Sequence, residues 1–365
     1  MEREINISRR KFLGAAAGAA GAAAALSWPA SRAIGGNDPP RVPKENIGTI
    51  LYTQRDRISA APDTTGVPYG FAQVLAALAA QGYKTIEFAG YNQSTAILGR
   101  QITPAEIRAI LDANGLDAKG NHGSIPGTLT DAAIATFKAN CQIALTLGQE
   151  YIGTGGDPTG SRFKADWDLA VERWATLGDI AKAEGLLGVY NHNHDGAYNF
   201  LLDSGPLDAL GRPTRSSGIR MDEYFIKEIK KSGNTTVFME MDIYWAHVAQ
   251  HRFRTYTNPD GVVVEKVFDP AGLVAKNTHR FPLFHAKDGK RTADPPGVGS
   301  GYTMVPFGTG DIDFKTFFDR IGANRSHYPM YEQDNAPGGA ANPGQSMAFS
   351  QVSYTNMAAL GAVGS

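Results

Sequence analysis

Tyr190-Asn191-His192-Asn193-His194-Asp195, closing the apolar run that begins at Leu186, decides how this chain is read. A stretch suited to a buried strand ends in imidazoles and amides, and because strand side chains alternate, Tyr190, His192 and His194 share one face. Short β-rich runs of the same kind recur at 47–52, 84–88, 117–121, 151–154, 237–242, 281–285 and 328–332, making eight with 186–192. Between them, 71–81, 104–114, 131–147, 166–184, 221–231, 270–276 and 314–321 carry helical spacing or helix-start signals, and Gly82, Gly115, Gly148, Gly185, Gly233 and Gly322 stand where helices should stop. Such alternation predicts βα units around a parallel sheet. Eight units fit a (β/α)8 barrel, whose usual size is ~250 residues before insertions. A doubly wound sheet is the alternative, but no Gly-x-Gly-x-x-Gly opens the first βα turn.

Composition narrows the function. Of 365 residues, 35 are Lys or Arg and 36 are Asp or Glu, a formal net charge of -1 that gives no general attraction for nucleic acid or anionic lipid. The single cysteine, Cys141, excludes an intramolecular disulfide and paired-thiolate metal sites, so any metal must rest on His, Asp and Glu. With 42% hydrophobic residues, 42 Gly and 20 Pro, the chain is globular and loop-rich. Ser8-Arg9-Arg10-Lys11-Phe12-Leu13, the Ala/Gly-rich run to Leu26 and the small residues after it form a basic, apolar and cleavable series. The series resembles a twin-arginine signal, and its apolar part is short of the ~20 strongly apolar residues of a membrane span. The organisation expected is a signal at 1–34, a linker at 35–41 and one barrel at 42–365, exported by the twin-arginine machinery to the periplasm or beyond and keeping no stable membrane anchor after cleavage.

A barrel strand fills its interior with aliphatic residues, so polar strand ends ask for a reason. They are Glu87, His122, His192 with His194, Glu240 with Asp242, His285 with Lys287, and Glu332 with Asp334. Singly each reads as a hydrogen-bonded core group, and Glu87 and Glu240 as structural carboxylates. Asp242, His285 and Glu332 end three consecutive strands, however, and two carboxylates beside an imidazole are expensive to bury without a cation. One divalent metal resolves that cost, and an O/N donor set leaves Mn, Mg, Co, Ni, Fe and Zn open. The segments 199–219 and 287–311, the latter with Pro295-Pro296-Gly297, break the rhythm after strands and are candidate lids over the site, the first reading equally as a tolerated surface insertion.

With these residues in place, the chain resembles the sugar phosphate isomerase/epimerase branch of the xylose isomerase-like barrels from about Ile47 to Ala336. Carrying the resemblance are Thr85-Ile86-Glu87-Phe88, Asn121-His122, Tyr190 to His194, Met241-Asp242-Ile243-Tyr244-Trp245, Phe284-His285-Ala286-Lys287-Asp288, Val305 to Asp313 and Tyr331-Glu332-Gln333-Asp334. It implies a metal held by Asp242, His285 and Glu332, with a fifth-strand Glu missing and His192 or His194 as the nearest substitute. It also implies Glu332 as the base, His192, His194 or Lys287 as the acid or oxyanion partner, and substrate contacts from Glu87, His122, Trp245 and Arg291. The expected activity is proton abstraction next to a carbonyl of an unphosphorylated carbohydrate. A lyase acting on 3-keto-glycosides, a glycal hydratase and a non-catalytic sugar-binding protein are the alternatives. The three-zinc apurinic-site endonuclease of the same superfamily needs more ligands than the chain offers. Association with a second copy is left open.

Overall fold

The computed structural model describes residues 41–123, 125–293, 301–322 and 326–360. The expected signal, nearly all of the linker and Pro295-Pro296-Gly297 lie outside the described residues. Eight strands form the barrel: β1 Gly48–Ile50, β2 Thr85–Phe88, β3 Asp117–Asn121, β4 Tyr151–Thr154, β5 Gly188–His192, β6 Val237–Asp242, β7 Leu283–Ala286 and β8 Tyr328–Tyr331. Their hydrogen-bonded order is β3-β2-β1-β8-β7-β6-β5-β4, with every pairing parallel. The two end strands follow one another in sequence, and the Glu150 N–H donates to the Lys119 carbonyl across the seam at 3.2 Å. The (β/α)8 expectation therefore holds, and each barrel strand lies within or against its expected run.

The outer helices start and stop for local reasons. Thr103 closes a reciprocal capping box with Glu106, with Pro104 in the first turn of Pro104–Asn114. Thr130 caps Asp131–Leu147, and Gly115 and Gly148 end these two helices in the left-handed conformation that glycine reaches without strain. Two longer helices have no counterpart in the sequence reading, Ile243–Arg252 directly after β6 and Gln345–Leu360 at the C-terminal end. Among the described residues, no helix is long and apolar enough to cross a membrane.

The described parts of the interruptions build hairpins. Ser204–Leu207 pairs with Pro213–Arg215, and Asp288–Arg291 with Tyr302–Val305. The first leans on an unexpected hairpin, Thr255–Thr257 with Val263–Glu265, through Ser216 N–H to the Thr257 carbonyl and Arg215 to the Pro259 carbonyl. The second is pinned at its base by Asp288, which accepts amide hydrogens from Gly308 and Gly310. Apart from Lys287, no described residue of either segment lines the cavity at the carboxyl ends of the barrel strands.

Candidate active site

Barrel register sets the site. His192 pairs with Glu240 across β5 and β6, and Asp242 with His285 across β6 and β7, so residues far apart in sequence meet at one height. Tyr190 crosses the interior below them and its hydroxyl donates to Glu87. That ring fits because Gly120 and Gly153 face it: a Cβ on either would come within 2.8 Å of the ring or its hydroxyl. Above lies a polar cavity of about 570 Å³ at the carboxyl ends of the strands. Glu332, Asp334 and Lys287 form one side of it, His122, His192 and His194 the other, and Tyr52, Ala89 and Thr154 to Gly156 much of the rest.

Charge is concentrated on the floor. Glu87, Glu240, Asp242 and His285 are 0% exposed, His192 2% and Glu332 4%. The two imidazoles at the centre each face two ways. His285 turns Nδ1 to Glu332 at 2.7 Å and Nε2 to Glu87 at 2.8 Å and Glu240 at 3.2 Å. His192 turns Nε2 to Asp242 at 3.7 Å and Nδ1 to Glu240 at 3.4 Å. His122 completes the lower layer, 2.8 Å from Glu240 and 3.3 Å from Glu87.

An upper group, His192, Asp242, His285 and Glu332, therefore offers four ligand atoms within 4.8 Å of one another. Four buried polar atoms in this group, His192 Nδ1, Asp242 Oδ2, His285 Nδ1 and Glu332 Oε2, make no hydrogen bond even though charged neighbours lie close, so the residues present fit a cation. His192 is the fifth-strand residue that joins this group. A lower group, His122, His192, Glu240 and His285, also meets the distance test. Its chemistry is equally that of an outer layer, in which Glu87 and Glu240 accept hydrogen from the ring nitrogens turned away from a metal. Glu87→Gln is accordingly expected to weaken metal binding by about 10–100-fold while the four ligands stay in place, measured by competition with a fluorescent chelator. Unchanged affinity would rule out that role.

The proton-binding properties follow from this packing. Burial, with the His285 and His122 rings, holds His192 far below its usual value and therefore neutral, as a metal ligand must be. Burial would raise Glu332, but His285 and Lys287 outweigh it and keep the carboxylate ionised. Burial lifts Asp242 to about 6 against the opposing pull of Lys287. Lys287 itself is driven well above its usual range, because Asp242, Glu332 and Asp334 overcome its burial. His194 is lowered by burial and by Lys287.

The remaining expected residues are placed as follows. Trp245 is half-buried beside the cavity, its ring 5.5 Å from that of His194 and 5.7 Å from the Lys287 ammonium. Arg291 is not brought to the site: it is exposed on the hairpin strand Asp288–Arg291, its amide donates to Asp311 and its Nε to the Ala293 carbonyl. The sequence reading treated Glu240 as structural, yet it touches three site histidines. Its alternation with Asp242 on one strand face was the available signal. Tyr52, in the loop after β1, gave none.

Behind β5 lies a second acidic pair, Asp157 half-buried and Asp222 buried. Asp157 accepts the His194 N–H at 3.0 Å, and Asp222, in the first turn of Met221–Lys231, is 2% exposed with Oδ1 lacking a hydrogen-bond partner. Burial, then Asp157 and Glu223, push Asp222 up to about 8. The unfolded side chain ionises near ~3.9, so between there and the folded value the native state holds a proton that the unfolded state lacks. This contribution to stability is full at acid pH and is lost as pH rises through the folded value. Asp222→Asn should therefore gain stability over wild type on going from pH 5 to pH 8, by a few kcal/mol, in urea unfolding at the two pH values. A difference that did not change with pH would count against the buried acid.

A barrel with its ligand-bearing residues at the strand ends defines a class, and comparison with known proteins gives its family. Residues 75–349 match the xylose isomerase-like TIM barrel family, and the chain belongs to it. No curated protein matches the sequence. Among solved structures, a sugar phosphate isomerase/epimerase from Parabacteroides distasonis is similar at 18% identity and TM-score 0.58, over 88% of this chain and 97% of that one. The IolI protein, solved with a bound zinc atom, is similar at 11% identity and TM-score 0.57, over 86% and 97%. A xylose isomerase domain protein from Planctomyces limnophilus follows at 14% and 0.54, over 86% and 96%. At these identities the likeness is one of fold.

Proposed function

We propose that the protein is a metal-dependent sugar isomerase or epimerase that moves a proton at a carbon next to a carbonyl. The observation that carries this reading is the convergence of His192, Asp242, His285 and Glu332 on one point of the cavity floor, their ligand atoms within 4.8 Å of one another. A divalent ion held by those four residues would act as a Lewis acid toward the substrate's carbonyl and adjoining hydroxyl. The Glu332 carboxylate, ionised and open to the cavity, takes the proton. His122 and His194 line the opposite side, three strands away around the barrel, where an acid can return a proton to the other face. The Lys287 ammonium supports the negative charge that develops.

The substrate is an unphosphorylated sugar. Among the described residues lining the cavity, the single Lys or Arg is Lys287, and it is committed to three carboxylates within 3.1 Å. No Lys or Arg in this lining is left to meet a phosphate. Action outside the cytoplasm, which the N-terminal sequence suggests, accords with this choice and is checked by locating the chain in cell fractions.

The test is exchange of solvent deuterium into a panel of unphosphorylated ketoses by the metal-loaded protein, followed by NMR. Exchange is expected at the carbon next to the carbonyl, and Glu332→Gln should slow it by about 10²–10⁴-fold. Metal-loaded wild type that exchanges none of the panel would overturn the reading.

A further inference from the structure

A second cavity, of about 350 Å³, adjoins the catalytic one. Ala89 lines both, and the wall opposite changes from Tyr52 in the first to Arg55 in the second. These two side chains are locked together. The Arg55 guanidinium lies 4.0 Å from the centre of the Tyr52 ring, donates to the Tyr52 carbonyl at 2.7 Å and reaches the Asp334 carbonyl at 2.7 Å. Tyr52 is nevertheless 40% exposed, a fixed aromatic ring at the junction of the two spaces.

The second cavity has a mixed lining. Arg55, Asp56, Ser59 and Asn92 supply donors and acceptors, while Ile58 and Pro337 supply apolar surface. A sugar ring has that dual character, with hydroxyls around its rim and C–H groups on its faces, and aromatic rings beside polar side chains suit it. A free monosaccharide seated over the four ligand residues would leave this space unfilled.

We propose that the second cavity is a subsite for a second sugar ring, so that the substrate is a disaccharide whose keto-sugar unit occupies the catalytic cavity and whose other unit passes Tyr52 into the space beside Arg55 and Asn92. The proposal rests on the isomerase reading for the keto unit alone; the subsite itself stands on the two joined cavities. Tyr52 acts at the linkage, where its ring is held by Arg55.

The experiment compares dissociation constants on the full, Mn-loaded chain for fructose and for two ketose disaccharides of different linkage, lactulose and palatinose, by isothermal titration calorimetry. At least one disaccharide is expected to bind about tenfold or more tightly than fructose, a difference of about 1.4 kcal/mol. Asn92→Trp and, independently, Ser59→Trp fill the second cavity from exposed positions. Either should bring the disaccharide to the fructose value and leave fructose unchanged. Equal affinities in wild type, or variants that weaken fructose as much as the disaccharide, would overturn the subsite. Deuterium exchange in the same samples separates the two claims: preference for a disaccharide with no exchange sinks the isomerase reading alone, and exchange with no preference sinks the subsite alone.

Discussion

Lys287→Met should destabilise the metal-free protein by about 3–5 kcal/mol and the metal-loaded protein far less. The ammonium lies 2.9 Å from Asp242 Oδ2, 2.6 Å from Glu332 Oε2 and 3.1 Å from Asp334 Oδ1, and it is 1% exposed. Two of those oxygens are the ones a metal would take. Without metal, Lys287 and His285 supply the positive charge that makes buried Asp242 and Glu332 tolerable, and removing the lysine leaves His285 alone to balance both carboxylates. With metal, the ion compensates them and the lysine is left with Asp334 at the cavity rim. Thermal unfolding in chelator and in saturating Mn measures both cases. The variant should lose on the order of 10 °C in chelator and recover most of it with metal, since ~1 kcal/mol corresponds to a few degrees in a chain of this size. Equal losses in the two conditions would show that Lys287 does not stand in for the ion.

The contrast between Lys287 and Glu240 shows what the sequence could disclose. Most barrel strands were legible because they are short runs with apolar residues bounded by glycine and helix-start signals, and local rules suffice for that; Asp117–Asn121, with one apolar residue, is the exception. Asp242, His285 and Glu332 were legible because parallel topology brings consecutive strand ends to one rim. What local pattern cannot carry is register. Whether Glu240 bonds to a neighbouring amide or to three histidines depends on how β5, β6 and β7 align, and the pairing of His192 with Glu240 settled it. The replacement for the missing fifth-strand carboxylate was left between His192 and His194 for the same reason. His192 points into the cluster, whereas His194 lies past the strand end near Trp245. The helix Ile243–Arg252 shows no separate start in the sequence because it begins with no intervening loop. Asp242 serves as both the last strand residue and the helix cap, through Oδ1 to the Trp245 N–H.

That double duty of Asp242 makes its replacement the most informative at the site. Asp242→Asn keeps an oxygen to accept the Trp245 N–H, so the helix start is retained. Its amide nitrogen, however, takes the place of Oδ2, which faces Lys287 and His192, and an amide donor there repels both ammonium and metal. Metal content should fall from about one ion per chain to near zero by elemental analysis, with circular dichroism unchanged. His285→Ala should lose the metal as completely and also unfold more readily in chelator, by about 3–5 kcal/mol, because Glu87, Glu240 and Glu332 would face one another without the imidazole between them. Asp242→Asn removes a buried negative charge and leaves Lys287 with Glu332 and Asp334, so its metal-free stability should stay near wild type. The pair thus separates ligation from charge balance: a ligand role alone predicts equal metal loss, and the two-way imidazole adds the difference in stability. Full metal occupancy in both variants would refute the ligand assignment. Metal loss with identical stabilities would show that the lower carboxylates find their counter-charge in His122 instead.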